Sequence, residues 1–549
     1  MKKIIALTVL SFAFFSGLKA QTGFQLEAEG SASPIILNNV AKMPEQAKVK
    51  DTVIPAPAFN YTLQTKRYNT FYTPDTIKAA KLSSEPLQKL YRTYAKAGVG
   101  NYTTLMGEFY ISSLRSKSGA WGANVRHLSA GNGPDKVAGE FSGFSNQDAS
   151  VWGKRFLKKH TLSGNLDYKR DVVYNYGSTV PINVFTKDFT QQRFNLFEAG
   201  TELKSHLRDS DAIHHRGALN YYHFYDRYKF TEDNIRFDIE AGRYIRTEFL
   251  NVDVGVDYNR NASSSDTVNN TIIRFKPEFR AHGKKFDASI GVALYHEAGA
   301  ENLTYFYPQA FFSYDVVAHI IVPYVWIKGG LERNSYRSLT AVNPFVMSST
   351  AMNLRNTQRK YELAGGIKGS VSKEVSFDLR AMLYELKNMA LFVNTTESDD
   401  IFRNKFKVVY DDVDVMQFHA QLQWQHFEKT RILLTGDYYK FTTTSQLKAW
   451  HSPSLRLSAI AQYNLQDKII GKAQIYYLNG QYALIDGVSG PSAVNVKGLL
   501  DINIGMEYRY TKFLSMFLNL NNLAAQRYQR WYAYPTQRFN FMAGLTYTF

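Results

Sequence analysis

The chain ends with Arg538-Phe-Asn-Phe-Met-Ala-Gly-Leu-Thr-Tyr-Thr-Phe549, a stretch in which apolar and polar residues alternate. The odd-numbered positions from Phe539 to Phe549 are apolar or aromatic, whereas the even-numbered positions from Asn540 to Thr548 are mostly small or polar. Alternation with a period of two is typical of a β-strand with one apolar and one wet face. A transmembrane β-barrel provides both faces, and a tilted strand crosses the hydrocarbon with about 9–11 residues. The stretch therefore predicts a membrane-spanning strand of a barrel.

The composition of the whole chain favours one large barrel. Among its 549 residues are 37 Phe and 37 Tyr, more than a soluble core needs, and barrels place such residues in aromatic girdles at both membrane interfaces. The mean hydropathy is negative although 44% of the residues are hydrophobic, which suits alternation. No internal stretch approaches the roughly 20 apolar residues of a membrane helix. A membrane-spanning form of this chain therefore has to be a closed barrel, in which every backbone group is paired.

The N-terminus has the features of a secretory signal peptide. Lys2 and Lys3 supply its charged region, residues 4–15 its apolar core and residues 18–20 its cleavage site. We therefore expect residues 1–20 to be removed on export. Loss of the three lysines of this segment lowers the formal net charge from +17 to +14. In an exported chain, this excess predicts contact with an anionic solute or an anionic lipid, and no nucleic acid.

The residue types that support catalysis or metal binding do not form a constellation in this sequence. The chain has no cysteine, which excludes disulfides, thiolate metal sites and Cys nucleophiles, and it has no Gly-x-Ser-x-Gly elbow. His214 and His215 are adjacent, so on a strand they point to opposite faces. His419 lies between Gln417 and Gln421 in the alternation, which predicts a polar residue of the lumen wall. We therefore predict no catalytic residue, no cofactor, no metal ion and no enzymatic activity.

The chain after the signal peptide divides into two parts. Residues 21–90 do not alternate and are rich in Pro, Ala, Asn and Lys, which predicts an irregular periplasmic N-terminal extension. Residues 91–549 contain about 22 strand-like runs, joined by short polar turns and longer connections as in outer-membrane barrels. The number is even and fits the class of large outer-membrane transporters. Because strand boundaries carry an error of a few residues, 18 and 20 strands stay open as alternatives. The predicted fold is an all-β, transmembrane antiparallel β-barrel.

Alternation also assigns side chains to the two faces of the barrel wall. We expect Ile290 and Met506 to face lipid, and Tyr295, Glu507 and Arg509 to face the lumen. Opposite charges adjoin on the predicted inner wall; such pairs either brace the wall or bind a solute. They are Arg236 beside Asp238 and Glu240, and Asp378 beside Arg380.

Basic residues collect in and beside the predicted short turns. They could meet anionic lipid headgroups or an acidic partner, or simply keep the turns soluble. The set consists of Lys154, Arg155, Lys158, Lys159, Lys284, Lys285, Lys468 and Lys512.

The closing segment resembles a known family. The residues that carry the resemblance are Leu518-Asn-Leu-Asn-Asn-Leu523, Arg527-Tyr528, Tyr534-Pro535, Arg538 and the final Gly544-Leu-Thr-Tyr-Thr-Phe549. This pattern resembles the C-terminal signature of TonB-dependent receptor barrels. A last strand that ends on an aromatic residue also resembles the closing strand of bacterial outer-membrane barrels, which implies that Phe549 is part of the signal read by the barrel-assembly machinery.

The start of the barrel region adds to the resemblance and the segment before it departs from it. Residues 85–104 resemble the barrel start of outer-membrane proteins of the Bacteroidota. TonB-dependent receptors carry a plug domain before the barrel, and residues 21–90 are too short for one. The resemblance therefore implies a plugless barrel, whose lumen is open or is closed by residues 21–90, by folded-in loops or by another protein.

Two functions remain open from the sequence. The first is a channel or transport component of the outer membrane; the second is a non-conducting structural or accessory subunit of a larger outer-membrane complex. In both, we expect the N-terminal extension and the C-terminus to lie in the periplasm. The expected partners are outer-membrane lipid, the barrel-assembly machinery and other outer-membrane or periplasmic proteins.

One cluster in the last long connection is a candidate for extracellular recognition. Aromatic and Arg side chains are common anchors of protein contacts, and here they are expected to be exposed. The alternative is an interfacial aromatic girdle. The cluster consists of Arg527, Tyr528, Arg530, Trp531, Tyr532 and Tyr534.

Overall fold

The computed structural model describes most of the chain after residue 90. Residues 1–90, with the predicted signal peptide and N-terminal extension, lie outside it, so both assignments stay predictions. No helix in the described part is long and apolar enough to cross a membrane. The described ranges are 91–134, 137, 141–178, 186–207, 212–299, 302–317, 319–396, 400, 402–427, 429–487 and 490–549.

The described residues form a closed sheet of 22 antiparallel strands. Each barrel strand pairs with the next one along the chain, and the last strand pairs with the first, with Thr548 opposite Tyr94. Closure leaves no free edge, so the backbone groups of every strand can pair within the wall, as lipid requires. The predicted strand number and fold class are confirmed.

The wall strands in chain order have the following bounds. The first eleven are β1 (Thr93–Gly100), β2 (Thr104–Ser112), β3 (Gly119–Ala130), β4 (Phe144–Phe156), β5 (His160–Tyr174), β6 (Gln191–Ser205), β7 (His214–Asp226), β8 (Thr231–Ile245), β9 (Glu248–Ala262), β10 (Thr267–His282) and β11 (Phe286–Ala298). The others are β12 (Leu303–Tyr314), β13 (Val322–Glu332), β14 (Thr357–Ser370), β15 (Val375–Asn394), β16 (Phe406–His426), β17 (Thr430–Thr443), β18 (Leu455–Leu465), β19 (Ile469–Asn479), β22 (Leu499–Arg509), β23 (Leu514–Asn521) and β26 (Asn540–Thr548).

The connections distinguish two ends of the barrel. The short-turn end carries Phe549 and tight turns such as 157–159 and 283–285. The opposite, long-loop end carries the longest connections and their secondary structure. These elements are helix α1 (Lys187–Thr190), helix α2 (Tyr336–Val342), a 3₁₀ helix (Ser348–Asn353) and two hairpins, β20 (Gln481–Gly487) with β21 (Gly490–Val496) and β24 (Gln529–Trp531) with β25 (Tyr534–Pro535).

Side chains alternate between the two faces as the sequence predicts. Ile290 is 66% exposed on the outer face of β11, whereas Tyr295 of the same strand is buried on the inner side. On β22, Met506 is exposed, and Glu507 and Arg509 form an ion pair of 3.5 Å on the other face. The outer wall is therefore an apolar belt and the inner wall is polar.

The charges of the inner wall bond to one another. Arg274 of β10 forms ion pairs of 2.7 Å with both Asp238 of β8 and Asp253 of β9, and Arg236 lies 2.8 Å from Asp238. Arg380 and Asp378 lie 3.5 Å apart. The ion pairs of Arg274 link β10 to β8 and β9, as the bracing interpretation predicts. The other two pairs each join residues of a single strand, β8 or β15.

His419 also lies where the sequence predicts, on the inner wall. Its Nδ1 is 2.8 Å from Oδ1 of Asp437, and the amide of Gln417 donates to the same oxygen at 3.0 Å. This imidazole is thus one member of a polar wall network.

The seam between the last and first strands depends on two glycines. Gly98 and Gly544 are directly paired, and the ring of Phe517 lies over both on the inner side. A Cβ on Gly544 would lie 2.1 Å from the carbonyl oxygen of Ala97 and 2.6 Å from the Phe517 ring. Only glycine allows the strands and the ring to approach this closely.

Candidate functional site

The long connections fold into the barrel mouth and form a hydrophobic core there. Phe194 of β6 and Phe224 of β7 belong to the inner face, because the exposed side chains of these strands, Phe197 and Tyr221, have the opposite parity. Loop residues bury themselves against this inner face. We call the buried set the loop core: Phe194, Phe224, Phe230, Tyr336, Leu339, Val346, Phe392, Phe406, Trp531 and Tyr534.

Helix α2 is the central element of the loop core, and its first turn explains why it forms. Ser335 is the N-cap; its hydroxyl accepts a hydrogen bond from the backbone N–H of Ser338 at 3.0 Å. The Ser338 hydroxyl is 2.9 Å from the backbone N–H of Ser335. This reciprocal capping satisfies two N–H groups that a helix start leaves unpaired. It therefore helps to stabilise a helix of only two turns.

Three inner-wall carboxylates hold α2 in the mouth. The Tyr336 hydroxyl donates to Oδ2 of Asp226 at 3.0 Å. The backbone N–H of Arg337 donates to Oε2 of Glu232 at 3.0 Å, and its guanidinium lies 2.7 Å from Oε2 of Glu198. Since these acids belong to β6, β7 and β8, the helix is bonded to three adjacent strands.

The Glu232 and Tyr336 side chains are fully buried, and neighbouring residues supply their hydrogen-bond partners. Glu232 is inaccessible to solvent; besides Arg337 it accepts from the amide of Asn259 at 3.0 Å and from the Tyr222 hydroxyl. Burial, and then the Asp226 carboxylate, raise the pKa of Tyr336 well above its usual value. The Tyr336 hydroxyl therefore stays protonated and remains a donor.

A second contact joins the α2 connection to β16 and to the last long connection. The backbone N–H of Phe406 donates to Phe345 O at 3.0 Å, and the N–H of Met347 donates to Phe406 O at 2.8 Å. The Phe345 and Tyr534 rings stack with centroids 3.8 Å apart, and the Tyr534 hydroxyl donates to Asn404 O. The loop core is therefore built from several connections that are distant in sequence.

His451 links three further parts of the mouth. Its Nδ1 is 2.9 Å from the carbonyl oxygen of Phe392, and its Nε2 is 3.3 Å from the backbone N–H of Tyr532. This geometry requires the neutral imidazole that donates from Nδ1 and accepts at Nε2. Burial lowers the pKa of His451 to about 4, against a smaller opposing effect of the Phe392 carbonyl.

The structure divides the predicted recognition cluster. Arg527 and Arg530 are exposed, and Tyr528 and Tyr532 are half-buried. Trp531 and Tyr534 are only 7% and 3% exposed, so the expectation that the whole cluster is exposed is wrong for these two. Both rings pack in the loop core because a connection that folds into the mouth exchanges water for aromatic neighbours.

Sequence reasoning missed the anchors of the loop core. The wall acids Glu198, Asp226 and Glu232 have no local pattern that sets them apart from other polar residues of the lumen. The Ser335-x-x-Ser338 spacing was a helix-start signal within a long connection, but it does not say which wall residues the helix meets. Among the described residues, no group of three or more His, Asp or Glu side chains is arranged to hold a metal ion.

Comparison with known proteins identifies the fold. No protein-family model matches the sequence, and no curated protein matches it. The FrpB iron transporter from Neisseria meningitidis is similar with a TM-score of 0.66 at 8% identity, over 84% of this chain and 82% of that chain. The ferric-catecholate import receptor Fiu from E. coli K12 is similar with a TM-score of 0.64 at 12% identity, over 84% and 82%. The pyoverdine outer membrane receptor FpvA from Pseudomonas aeruginosa PAO1 has a TM-score of 0.64 at 11% identity, over 84% and 79%.

At these identities the likeness concerns the fold, which is the 22-stranded barrel of TonB-dependent receptors. The apolar outer belt and the closed sheet agree with it. Together they define a transmembrane β-barrel with 22 strands.

Proposed function

We propose that this protein is an outer-membrane transport component, a plugless barrel whose own loops close the mouth at the long-loop end. The polar lumen is the passage. The observation that carries the proposal is the attachment of α2 to the inner wall through Glu198, Asp226 and Glu232. A helix held inside the wall by three strands occupies space that a solute would otherwise cross.

The orientation that fits this function places the long-loop end outside the cell and the short-turn end in the periplasm. Thr93 and Phe549 share the short-turn end, where the backbone N–H of Thr93 donates to Phe549 O at 2.9 Å. Residues 21–90 then enter the periplasm at the start of β1. The N-terminal extension is then a second candidate for the gate, on the periplasmic side.

The attachment of the loop core suits a gate that opens. Hydrogen bonds of this kind contribute about 1–3 kcal/mol each, so few of them have to break. In addition, the two ends of the connection that carries α2 lie next to each other. The amide of Asn334 donates to Arg355 O at 2.8 Å, so residues 335–354 are a loop with adjacent ends. Such a loop can leave the mouth as a unit without disturbing β13 or β14.

The inner wall favours an anionic solute. Several of its cations lie over aromatic rings: Lys96 Nζ is 4.4 Å from the Phe517 ring centroid, and the Arg456 guanidinium is 5.2 Å from that of Tyr439. A cation over a ring is held in place while its charge stays available. Together with the net positive charge of the chain, this supports passage of anions.

Replacement of residues 335–354 by two glycines tests the gate, with single-channel conductance of the purified mature protein in a planar bilayer as the readout. We expect the intact protein to conduct rarely and the shortened protein to conduct steadily. Arg337→Gln, which removes the ion pair to Glu198, should raise the open probability in the same direction. Arg216→Gln is the matched control, because Arg216 forms a 2.7 Å ion pair with Glu202 near the short-turn end of the same wall.

A gate formed by the N-terminal extension and a barrel that never conducts give different results. If removal of residues 21–90 opens the barrel and removal of 335–354 does not, the N-terminal extension is the gate and the loop-core proposal is wrong. If the barrel stays silent when both segments are removed, it is a scaffold or accessory subunit, and copurification of partner proteins becomes the next measurement.

A further inference from the structure

A groove runs along the outer face of β3 to β7, beginning at the short-turn end. Adjoining cavities of about 650, 620 and 440 Å³ form it. The first two share Trp121, Gly153 and Gly164 among their lining residues. The second and third share Val151 and Leu166. The groove is therefore continuous from the turn region into the apolar belt.

Two glycines, which have no side chain, form the floor of the groove. Gly153 of β4 and Gly164 of β5 are directly opposite each other, and a Cβ on Gly153 would meet no atom within 4 Å. Trp121 pairs with Gly153 on one side. Thr201 pairs with Gly164 on the other, and Leu219 pairs with Thr201. Trp121 and Leu219 thus form the walls of a trough with a flat floor.

The end of the groove at the turns is cationic and rich in hydroxyl groups. Arg155 is exposed and lines it together with Ser116 and Ser118, whose hydroxyl oxygens lie 3.0 Å apart. The guanidinium carbon of Arg92 is 5.7 Å from the Trp121 ring centroid. The two adjoining turns contain no acidic residue and add further exposed cations, namely Arg115, Lys117, Lys158 and Lys159.

A second groove on the outer wall shows that this charge is a distinguishing feature. It crosses β15 to β19 and is lined by apolar residues such as Leu379, Leu434 and Leu457, with no charged residue. That groove has an apolar surface for acyl chains but no charged side chain that could bind a lipid headgroup. The groove at Arg155 combines both.

We propose that the groove at Arg155 binds one anionic glycerophospholipid, with its phosphate between Arg92 and Arg155 and one acyl chain on the floor formed by Gly153 and Gly164. Clusters of Lys and Arg next to the hydrocarbon attract anionic lipid headgroups, and guanidinium groups pair with phosphate in a bidentate manner. From Arg155 to Ala149 the strand covers about 20 Å at about 3.3 Å per residue, which accommodates an extended acyl chain. The headgroup therefore selects the lipid and the trough orders it.

The test is native mass spectrometry of the full mature protein in detergent, with added dioleoyl phosphatidylglycerol or phosphatidylcholine. We expect one phosphatidylglycerol retained per barrel. Gly153→Leu fills the trough and should lower retention of both lipids. Arg155→Gln should lower retention of phosphatidylglycerol alone, by about five-fold, the equivalent of roughly one charge contact.

Two matched variants control for general effects on the wall. Gly107→Leu adds the same side chain to β2 at a glycine whose Cβ also meets no atom within 4 Å. Arg243→Gln removes an exposed arginine near the short-turn end of β8, just as Arg155 lies near the short-turn end of β4. Heat-modifiable gel mobility confirms that every variant is a folded barrel.

Three results would overturn the proposal. Equal retention by all variants makes the groove ordinary lipid-facing wall. Equal retention of phosphatidylglycerol and phosphatidylcholine by the unmodified protein removes the headgroup selection. If lipid A is retained more tightly than phosphatidylglycerol, and Gly153→Leu abolishes that retention, the groove binds a glycolipid instead of a phospholipid.

Discussion

The hydroxyl of Tyr336 donates a hydrogen bond to Oδ2 of Asp226, 3.0 Å away. The two residues are 110 positions apart, one on the helix of a long connection and the other at the end of β7. Tyr336 is also fully buried among Phe194, Phe224 and Phe230. One side chain thus joins the polar and the apolar halves of the contact that closes the mouth.

Tyr336→Phe should loosen the loop core while leaving the barrel intact. The ring stays in its pocket, but Asp226 loses a donor in a buried position, which costs about 2 kcal/mol. Limited proteolysis should cut residues 335–354 faster in this variant, with the global unfolding temperature nearly unchanged. Tyr463→Phe is the control, because Tyr463 is 49% exposed. Equal cleavage of both variants would mean that the hydrogen bond does not hold the loop.

Acidification should destabilise the loop core through His451. Its pKa is about 4 in the folded protein and 6.5 ordinarily, so between these values the unfolded segment binds more protons than the folded one. The stabilisation is complete above pH 6.5 and is lost as the pH falls towards 4, by about 3 kcal/mol. Unfolding of the mouth, followed by tryptophan fluorescence, to which the buried Trp450 and Trp531 contribute, should therefore shift to lower temperature in this range.

His451→Phe is the control for the pH dependence. It removes the titrating group, and with it the hydrogen bonds to Phe392 and Tyr532, so we expect lower stability at neutral pH and a flatter profile in acid. A profile that stays equally steep in His451→Phe would assign the acid sensitivity to another group.

Gly544→Ala should weaken the seam of the barrel. The new Cβ would lie 2.1 Å from Ala97 O and 2.6 Å from the Phe517 ring, so β1 and β26 have to separate and Phe517 has to move, at a cost of about 1–3 kcal/mol. The shift in urea midpoint measures this cost. Gly365→Ala, where the Cβ meets no atom within 4 Å, should have little effect. Equal midpoints for the two variants would show that the seam tolerates a wider spacing.

Phe549→Ala should reduce assembly in the cell without destabilising the assembled barrel. The side chain is 55% exposed, and closure of the sheet uses its backbone, whose N–H donates to Thr93 O at 3.0 Å. Exposed substitutions typically change stability by less than about 0.5 kcal/mol. The fraction of heat-modifiable protein in the outer membrane should fall, whereas the melting temperature of the purified barrel should be unchanged. Normal assembly would remove the role that the resemblance assigns to Phe549.

Local patterns were sufficient for the wall. A strand has a side-chain period of two, so the sequence predicts the faces of Ile290 and Tyr295 wherever their strand lies in the barrel. The same reasoning placed His419 and the neighbouring charges on the inner wall. It failed for Trp531 and Tyr534, because whether a loop side chain is exposed depends on residues such as Phe345 and Phe406, far away in sequence.

The sequence by itself determined the barrel, its strand number to within a few strands and the polar and apolar faces of its wall, because these features repeat every two residues and need no knowledge of distant partners. Only the tertiary structure decided what fills the mouth and where the outer wall is grooved. Tyr336 meets Asp226, and Gly153 meets Gly164 and Trp121, through strand order and register. Closure of the sheet sets these contacts, and no local pattern records them.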